Sequence, residues 1–164
     1  MQERGIILMS FLRKFDRVIS NLAHSQAMIF ERSIEEGIPS RIFIKSFMLS
    51  TEARRLDELS LEMAGLSEIE IFDSIKKRTR TKNGVFLSYP IMHFIGYFYR
   101  SAVYLSGYSS KQIYEKIPVE FLLRNYDVLH SFAIEEAVRE SFEILKIEKY
   151  DLYKRFKEIY SRED

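Results

Sequence analysis

The chain has 164 residues, an apolar fraction of 46%, a charged fraction of 30% and a formal net charge of +1. This composition is typical of one folded domain and excludes a disordered chain. The absence of cysteine excludes disulfide bonds, thiolate metal sites and cysteine nucleophiles, and the near-zero charge gives no global attraction to nucleic acid or anionic lipid. No stretch has the pattern of a signal peptide or a transmembrane helix, so we expect a cytoplasmic protein.

The first predicted element is a long amphipathic helix from about Ser10 to Glu36. Its apolar residues recur at intervals of three and four, and Gly37 and Pro39 provide the signals that end it. We expect one helical domain over residues 1–164. Two roles are open for residues 1–37, which either pack with the domain or form an arm or a dimer seam.

Shorter helices are predicted next. Ser40 is expected to cap the second, Ser50 or Thr51 the third, and Ser67 with Glu70 has the spacing of a capping box. The interval 79–88 is the one segment without helical spacing. The Asn-Gly pair at 83–84 is a tight-turn signal, so this interval could form a small β-hairpin.

The most apolar helix is predicted from Pro90 to Ser106, and a helix apolar on nearly every side is normally buried at the centre of a bundle. Further helical patterns follow from Ser109 or Ser110, from Pro118 and over residues 133–160, with a break near Ile147. The predicted fold is therefore all-α, a compact bundle of about six to eight helices.

Motifs that carry catalysis or bind metal are missing from the sequence. The three histidines lack the spacing of a metal-binding helix, and there is no P-loop, no dinucleotide-binding glycine pattern and no G-x-S-x-G. We therefore predict a protein that is not an enzyme and that needs neither a metal nor a cofactor.

A polar stripe marks the most apolar helix, because His93, Tyr97, Arg100 and Tyr104 are spaced four, three and four residues apart. One interpretation is a recognition groove in which Arg100 pairs with a carboxylate or phosphate of a partner. The other interpretation, which we favour, is an internal network in which Arg100 meets an acidic side chain such as Asp127.

A basic run occupies residues 76–82. Its five cations could contact phosphates, and they are Lys76, Lys77, Arg78, Arg80 and Lys82. The alternative is a charged helix end followed by a solvated turn. No aromatic residues interleave with these cations, which favours the solvated turn.

Several segments together resemble a known family. In chain order they are Arg41–Ser50, Ala53–Asp57, Met92–Arg100, Ser109–Tyr114 and Ile117–Pro118. They resemble a family of small bacterial proteins that are often encoded beside a toxin-like gene and are treated as antitoxins. The resemblance covers about residues 40–140, and the family's Tyr-His loop is matched in part by residues 126–131. It implies a toxin partner similar to an ADP-ribosyltransferase, and it implies no catalytic residues.

The leading functional hypothesis is therefore an antitoxin-like protein that neutralises a toxin by protein–protein interaction. Its predicted partner-binding residues are Tyr97, Arg100, Tyr104, Lys111 and Tyr114. One alternative is a nucleic-acid-binding regulator that uses the basic run, and another is a self-associating helical protein, such as a homodimer, whose seam is the first helix.

Overall fold

A computed structural model describes residues 2–58, 67–79 and 83–148, with side chains described from Arg17 onward. The described residues form nine helices and no strand, which confirms the predicted all-α fold. In chain order the helices are α1 (Gln2–Glu35), α2 (Ser40–Met48), α3 (Thr51–Asp57), α4 (Glu68–Lys76), α5 (Tyr89–Ser106), α6 (Ser110–Lys116), α7 (Val119–Arg124), α8 (Tyr126–Leu129) and α9 (Ile134–Ile144).

Helix α1 ends where the sequence predicts. Gly37 has a φ of 72°, a left-handed conformation in which a side chain would be strained. The amide of Gly37 donates to the carbonyl of Ile34 at 3.1 Å, and the amide of Ile38 donates to the carbonyl of Ser33 at 2.9 Å. These two bonds satisfy carbonyls that the helix end would otherwise leave free, and the chain turns sharply into α2.

Helix α5 is the buried centre of the bundle, and α1 crosses it closely. The two helices run in opposite directions, because Ser20 contacts Tyr97 whereas Glu31, further along α1, contacts His93. At the crossing, a Cβ placed on Gly96 would lie 2.9 Å from the Cα of Ala27. Glycine is therefore required here by the close approach of the α1 backbone.

Aromatic rings from three helices fill the space beside this crossing. The ring of Phe30 meets those of Phe43 and Phe47 at centroid distances of 5.7 and 5.1 Å, and Phe43 stacks on Phe72 at 5.5 Å. All four side chains are fully buried. They join α2 and α4 to α1, so the core has one continuous apolar cluster.

Two predicted caps are confirmed and one is wrong. The hydroxyl of Ser50 accepts from the amide of Ala53 at 3.0 Å, and Ser67 with Glu70 forms a complete capping box. Ser40 does not cap α2. It is the first residue of that helix, and its hydroxyl accepts instead from the amide of Leu87 at 2.8 Å.

No strand forms at residue 79 or over residues 83–88, the described part of the predicted hairpin interval. The backbone there is held by α2, because the amide of Ser40 donates to the carbonyl of Val85 at 3.1 Å. Residues 80–82, where the other side of a hairpin would begin, lie outside the described residues. The predicted break near Ile147 agrees with the end of α9 at Ile144 and a φ of 55° at Lys146. The continuation to residue 160 lies outside the described residues.

Within the described part of the chain, no helix has the length and apolar character needed to cross a membrane.

Gly96→Ala is expected to lower the free energy of unfolding by about 1–3 kcal/mol, because the added methyl group must push α1 away from α5. At an ordinary helical position the same change would raise stability by roughly 1 kcal/mol, so the sign separates steric conflict from helix propensity. Urea denaturation of Gly96→Ala and Gly96→Val measures the effect. A Gly96→Ala protein more stable than the parent would contradict the close packing.

Candidate functional site

The predicted stripe on α5 divides into a surface part and a buried part. His93 and Tyr97 are partly exposed, whereas Arg100 and Tyr104 are fully buried. The structure therefore answers whether Arg100 can reach a partner. In this conformation it cannot, and the groove interpretation of the stripe is corrected for Arg100 and Tyr104.

Arg100 is the centre of an internal polar network. Its Nη1 donates to Oδ1 of Asp57 at 2.6 Å, and its Nε donates to the side-chain oxygen of Gln26 at 2.7 Å. Its Nη2 donates to the hydroxyl of Ser110 at 3.1 Å, and the amide of Ser110 donates to Oδ2 of Asp57 at 2.7 Å. The internal network favoured from the sequence is present, but its acidic partner is Asp57 of α3 rather than the exposed Asp127.

Tyr104 extends the same network. Its ring lies 5.4 Å from the guanidinium carbon of Arg100, within the range of a cation–π interaction, and its hydroxyl donates to the carbonyl of Leu56. A ring with these contacts holds α3 against α5. Its role in the structure is therefore to stabilise the fold.

The two predicted residues on α6 do not line a site with Tyr97. Lys111 is exposed, and Tyr114 is partly buried with its ring edge-on to Tyr99 at 6.3 Å. Burial raises the pKa of the Tyr114 phenol above its ordinary value. A partner-binding role for Lys111 and Tyr114 stays a prediction, on a surface separate from that of Tyr97.

Internal partners neutralise part of the predicted basic run. Lys76 donates to Glu36 at 2.5 Å and lowers the pKa of that carboxyl, and Arg78 donates to Glu52. Lys77 is exposed, and Arg80 and Lys82 lie outside the described residues. Pairing of this kind weakens the field that the run could direct at a phosphate backbone.

An open cleft of about 570 Å³ lies between α1, α5 and the region of α8 and α9. Aromatic side chains supply most of its lining, and α5 contributes the largest share. The described lining residues are Glu31, Tyr89, Pro90, His93, Phe94, Tyr97, Tyr126, His130, Phe132 and Ile134. A concave, largely apolar site with a few polar groups is the usual form of a binding site.

Two stacked ring pairs belong to this cleft. His93 lies nearly parallel to Tyr97, with centroids 6.3 Å apart and planes 13° apart. Tyr126 lies parallel to His130, with centroids 4.4 Å apart and planes 6° apart. The ring of Phe94 meets Tyr126 edge-on at 5.4 Å and so connects the α5 wall with the α8 wall.

Besides the hydroxyls of Tyr89, Tyr97 and Tyr126, the polar groups of the described cleft lining are one carboxylate and two imidazoles. Oε1 of Glu31 lies 3.6 Å from Nδ1 of His93, and the ring of His24 meets that of His93 edge-on at 6.0 Å. His130 has a defined tautomer when neutral. Its Nδ1 lies 2.6 Å from the carbonyl oxygen of Tyr126, which can only accept, so Nδ1 donates and Nε2 is left as an acceptor.

The sequence singles out Tyr97 and the neighbouring His93 of this cleft, and it marks Tyr126 and His130 only as part of a loop that the family resemblance matches in part. The other lining residues were missed. One available signal was the spacing of Tyr126 and His130, which is the same four-residue interval as that of His93 and Tyr97. No local signal identified Glu31, because its place in the cleft depends on how α1 crosses α5.

Across residues 2–58, 67–79 and 83–148, no group of three or more histidine and carboxylate side chains is placed to hold a metal ion. No protein-family model, curated protein or solved structure matches the chain.

Asp57→Ala is expected to lower the free energy of unfolding by about 3–5 kcal/mol, because it leaves Arg100 buried without its counter-ion. Glu120→Ala is the matched control. It removes the carboxylate of an ion pair of similar length, in which Arg41 Nε and Glu120 Oε1 are 2.7 Å apart with the two side chains 45% and 57% exposed. Solvent screens that pair, so we expect a much smaller loss. Equal losses in urea denaturation would show that burial of the Arg100 pair contributes nothing.

Proposed function

We propose that this protein is an antitoxin-like binding protein that neutralises a partner toxin, with the aromatic cleft as its binding site. The observation that carries the proposal is the concentration of five tyrosine and phenylalanine side chains in one open concave surface. Such rings bury a large area at a small cost in side-chain entropy, and they are enriched among the residues that dominate binding energy.

The exposure of these rings supports a partner rather than a purely structural role. Tyr89 is 46% exposed and Phe132 is 36% exposed, so both present apolar surface to solvent at the cleft. A partner that covered them would remove this area from water. The contacts of His93 with Tyr97 and of Phe94 with Tyr126 fix rings of the α5 wall before a partner arrives, which limits the ordering that binding requires on that side.

The family resemblance supports the choice of a toxin as the partner. Met92–Arg100, the segment that most resembles the antitoxin-like family, supplies His93, Phe94 and Tyr97 to the cleft. The toxin implied by the resemblance is similar to an ADP-ribosyltransferase. On this proposal the protein meets its toxin in the cytoplasm and acts by covering a surface of it.

The other functional hypotheses have less support. Two of the cations proposed to bind nucleic acid are paired with Glu36 and Glu52. A dimer seam on the first helix would involve side chains before Arg17, which lie outside the described residues. Self-association therefore stays a prediction.

The proposal is tested by expressing the toxin-like protein encoded beside this gene, with and without this chain, and by measuring growth and direct binding. We expect this chain to restore growth and to bind the toxin. Tyr89→Ala and Tyr97→Ala should each weaken binding about 30-fold, as expected for truncated anchor residues.

Ile69→Ala is the matched control, since Ile69 is 52% exposed on α4 and does not belong to the described cleft lining. Lys111→Ala tests the separate surface on α6. Loss of toxin binding with Lys111→Ala but not with Tyr89→Ala would show that the interface lies on α6 and not at the cleft. A gene without a toxin-like neighbour, or a neighbour that this chain neither binds nor neutralises, would overturn the proposal.

A further inference from the structure

We infer that the cleft receives an arginine side chain presented by the partner. This inference rests on the proposed function, and it names the chemical group that the cleft recognises. Three features of the cleft lead to it: the sign of its charge, the aromatic rings of its lining and the hydrogen-bond acceptors that the lining supplies.

The charge of the described lining favours a cation. Glu31 is the one carboxylate in it, and neither lysine nor arginine is present. The Glu31 side chain is 23% exposed, and its neighbour at 3.6 Å is the imidazole of His93. The described lining supplies no lysine or arginine to pair with this carboxylate, so a cation that entered the cleft would meet a negative charge in partly desolvated surroundings.

The ring faces favour a planar cation. The stacked pairs His93 with Tyr97 and Tyr126 with His130 both belong to the described cleft lining. Guanidinium groups are planar and weakly hydrated, so they stack on aromatic faces. A lysine ammonium is a compact and strongly hydrated charge, which makes it the poorer match for these rings.

Acceptors in the cleft match the donors of a guanidinium. An arginine side chain carries five N–H donors in a fixed fork. The carboxylate of Glu31 can accept from this fork, and so can Nε2 of neutral His130, whose Nδ1 is held by the carbonyl of Tyr126 at 2.6 Å. Charge-assisted hydrogen bonds of this kind are stronger than neutral ones.

The test is an NMR titration of the whole chain at pH 8, where histidine is ordinarily neutral, with N-acetyl-arginine amide as the probe. N-acetyl-citrulline amide is the matched comparison, because it has nearly the same shape without the charge. We expect the arginine probe to bind about fivefold tighter or more and to shift the ring signals of Tyr97 and Tyr126.

Glu31→Gln should abolish this preference for arginine over citrulline, because it removes the charge while keeping the shape. Glu115→Gln, at an exposed position on α6 outside the described cleft lining, should leave the preference unchanged. Urea denaturation of both variants confirms that each is folded. Phe86→Ala removes a ring that is 47% exposed but is not in that lining, and it should also leave arginine binding unchanged.

The outcomes separate this inference from the proposed function. Equal binding of the arginine and citrulline probes, or a preference for arginine that survives Glu31→Gln, would overturn the inference. The toxin experiment decides the proposed function by itself. Selective arginine binding that depends on Glu31 supports the inference. If the toxin was then neither bound nor neutralised, the arginine site would stand and the proposed function would fail.

Discussion

The guanidinium of Arg100 is fully buried, and the helices around it are positioned to supply its counter-ion and hydrogen-bond acceptors. A buried cation is strongly unfavourable without a counter-ion and acceptors for its remaining donors. Asp57 of α3, Gln26 of α1 and Ser110 of α6 meet this requirement together. Moving any one of these helices away from α5 would break at least one hydrogen bond of Arg100. The network therefore fixes the positions of the three helices relative to α5. Such a network also disfavours alternative packings, because few arrangements would satisfy every donor.

Because of this network, the two ends of α5 differ in how far their side chains are buried. Toward its start, His93 and Tyr97 face the cleft, and toward its finish, Arg100 and Tyr104 are covered by α3 and α6. All four share one face of the helix, which is why their spacing suggests a single site. The spacing of residues in the sequence determines which face of a helix they share. Which residues on that face are buried depends on where the neighbouring helices pack. The antitoxin proposal therefore depends on the first end of α5, while the second end supports the fold.

Local signals predicted much of the fold. Gly37 ends α1, Ser50 caps α3, and Ser67 with Glu70 begins α4. These signals could be predicted because each depends on hydrogen bonds between residues that are close in the sequence. Ser40 was predicted wrongly, since a tertiary contact with Leu87 takes the hydroxyl that a local rule assigned to capping. Asp57 as the partner of Arg100, and Glu31 beside His93, could not be predicted for the same reason. Each pair comes from helices far apart in the chain, and only the packing of α1, α3 and α5 brings its members together.

The walls of the cleft differ in mechanical support. One is formed by α5, a buried helix of 18 residues, whereas the other includes α8, a helix of four residues with Leu129 as its one buried side chain. A single helical turn has little stability of its own, so local opening requires less free energy at α8 than at α5. The stack of Tyr126 on His130 therefore belongs to a compliant wall, and the cleft can adjust its width from that side while α5 keeps a fixed shape. An occupant would slow amide hydrogen exchange mainly in α8, where ordering has the most to change.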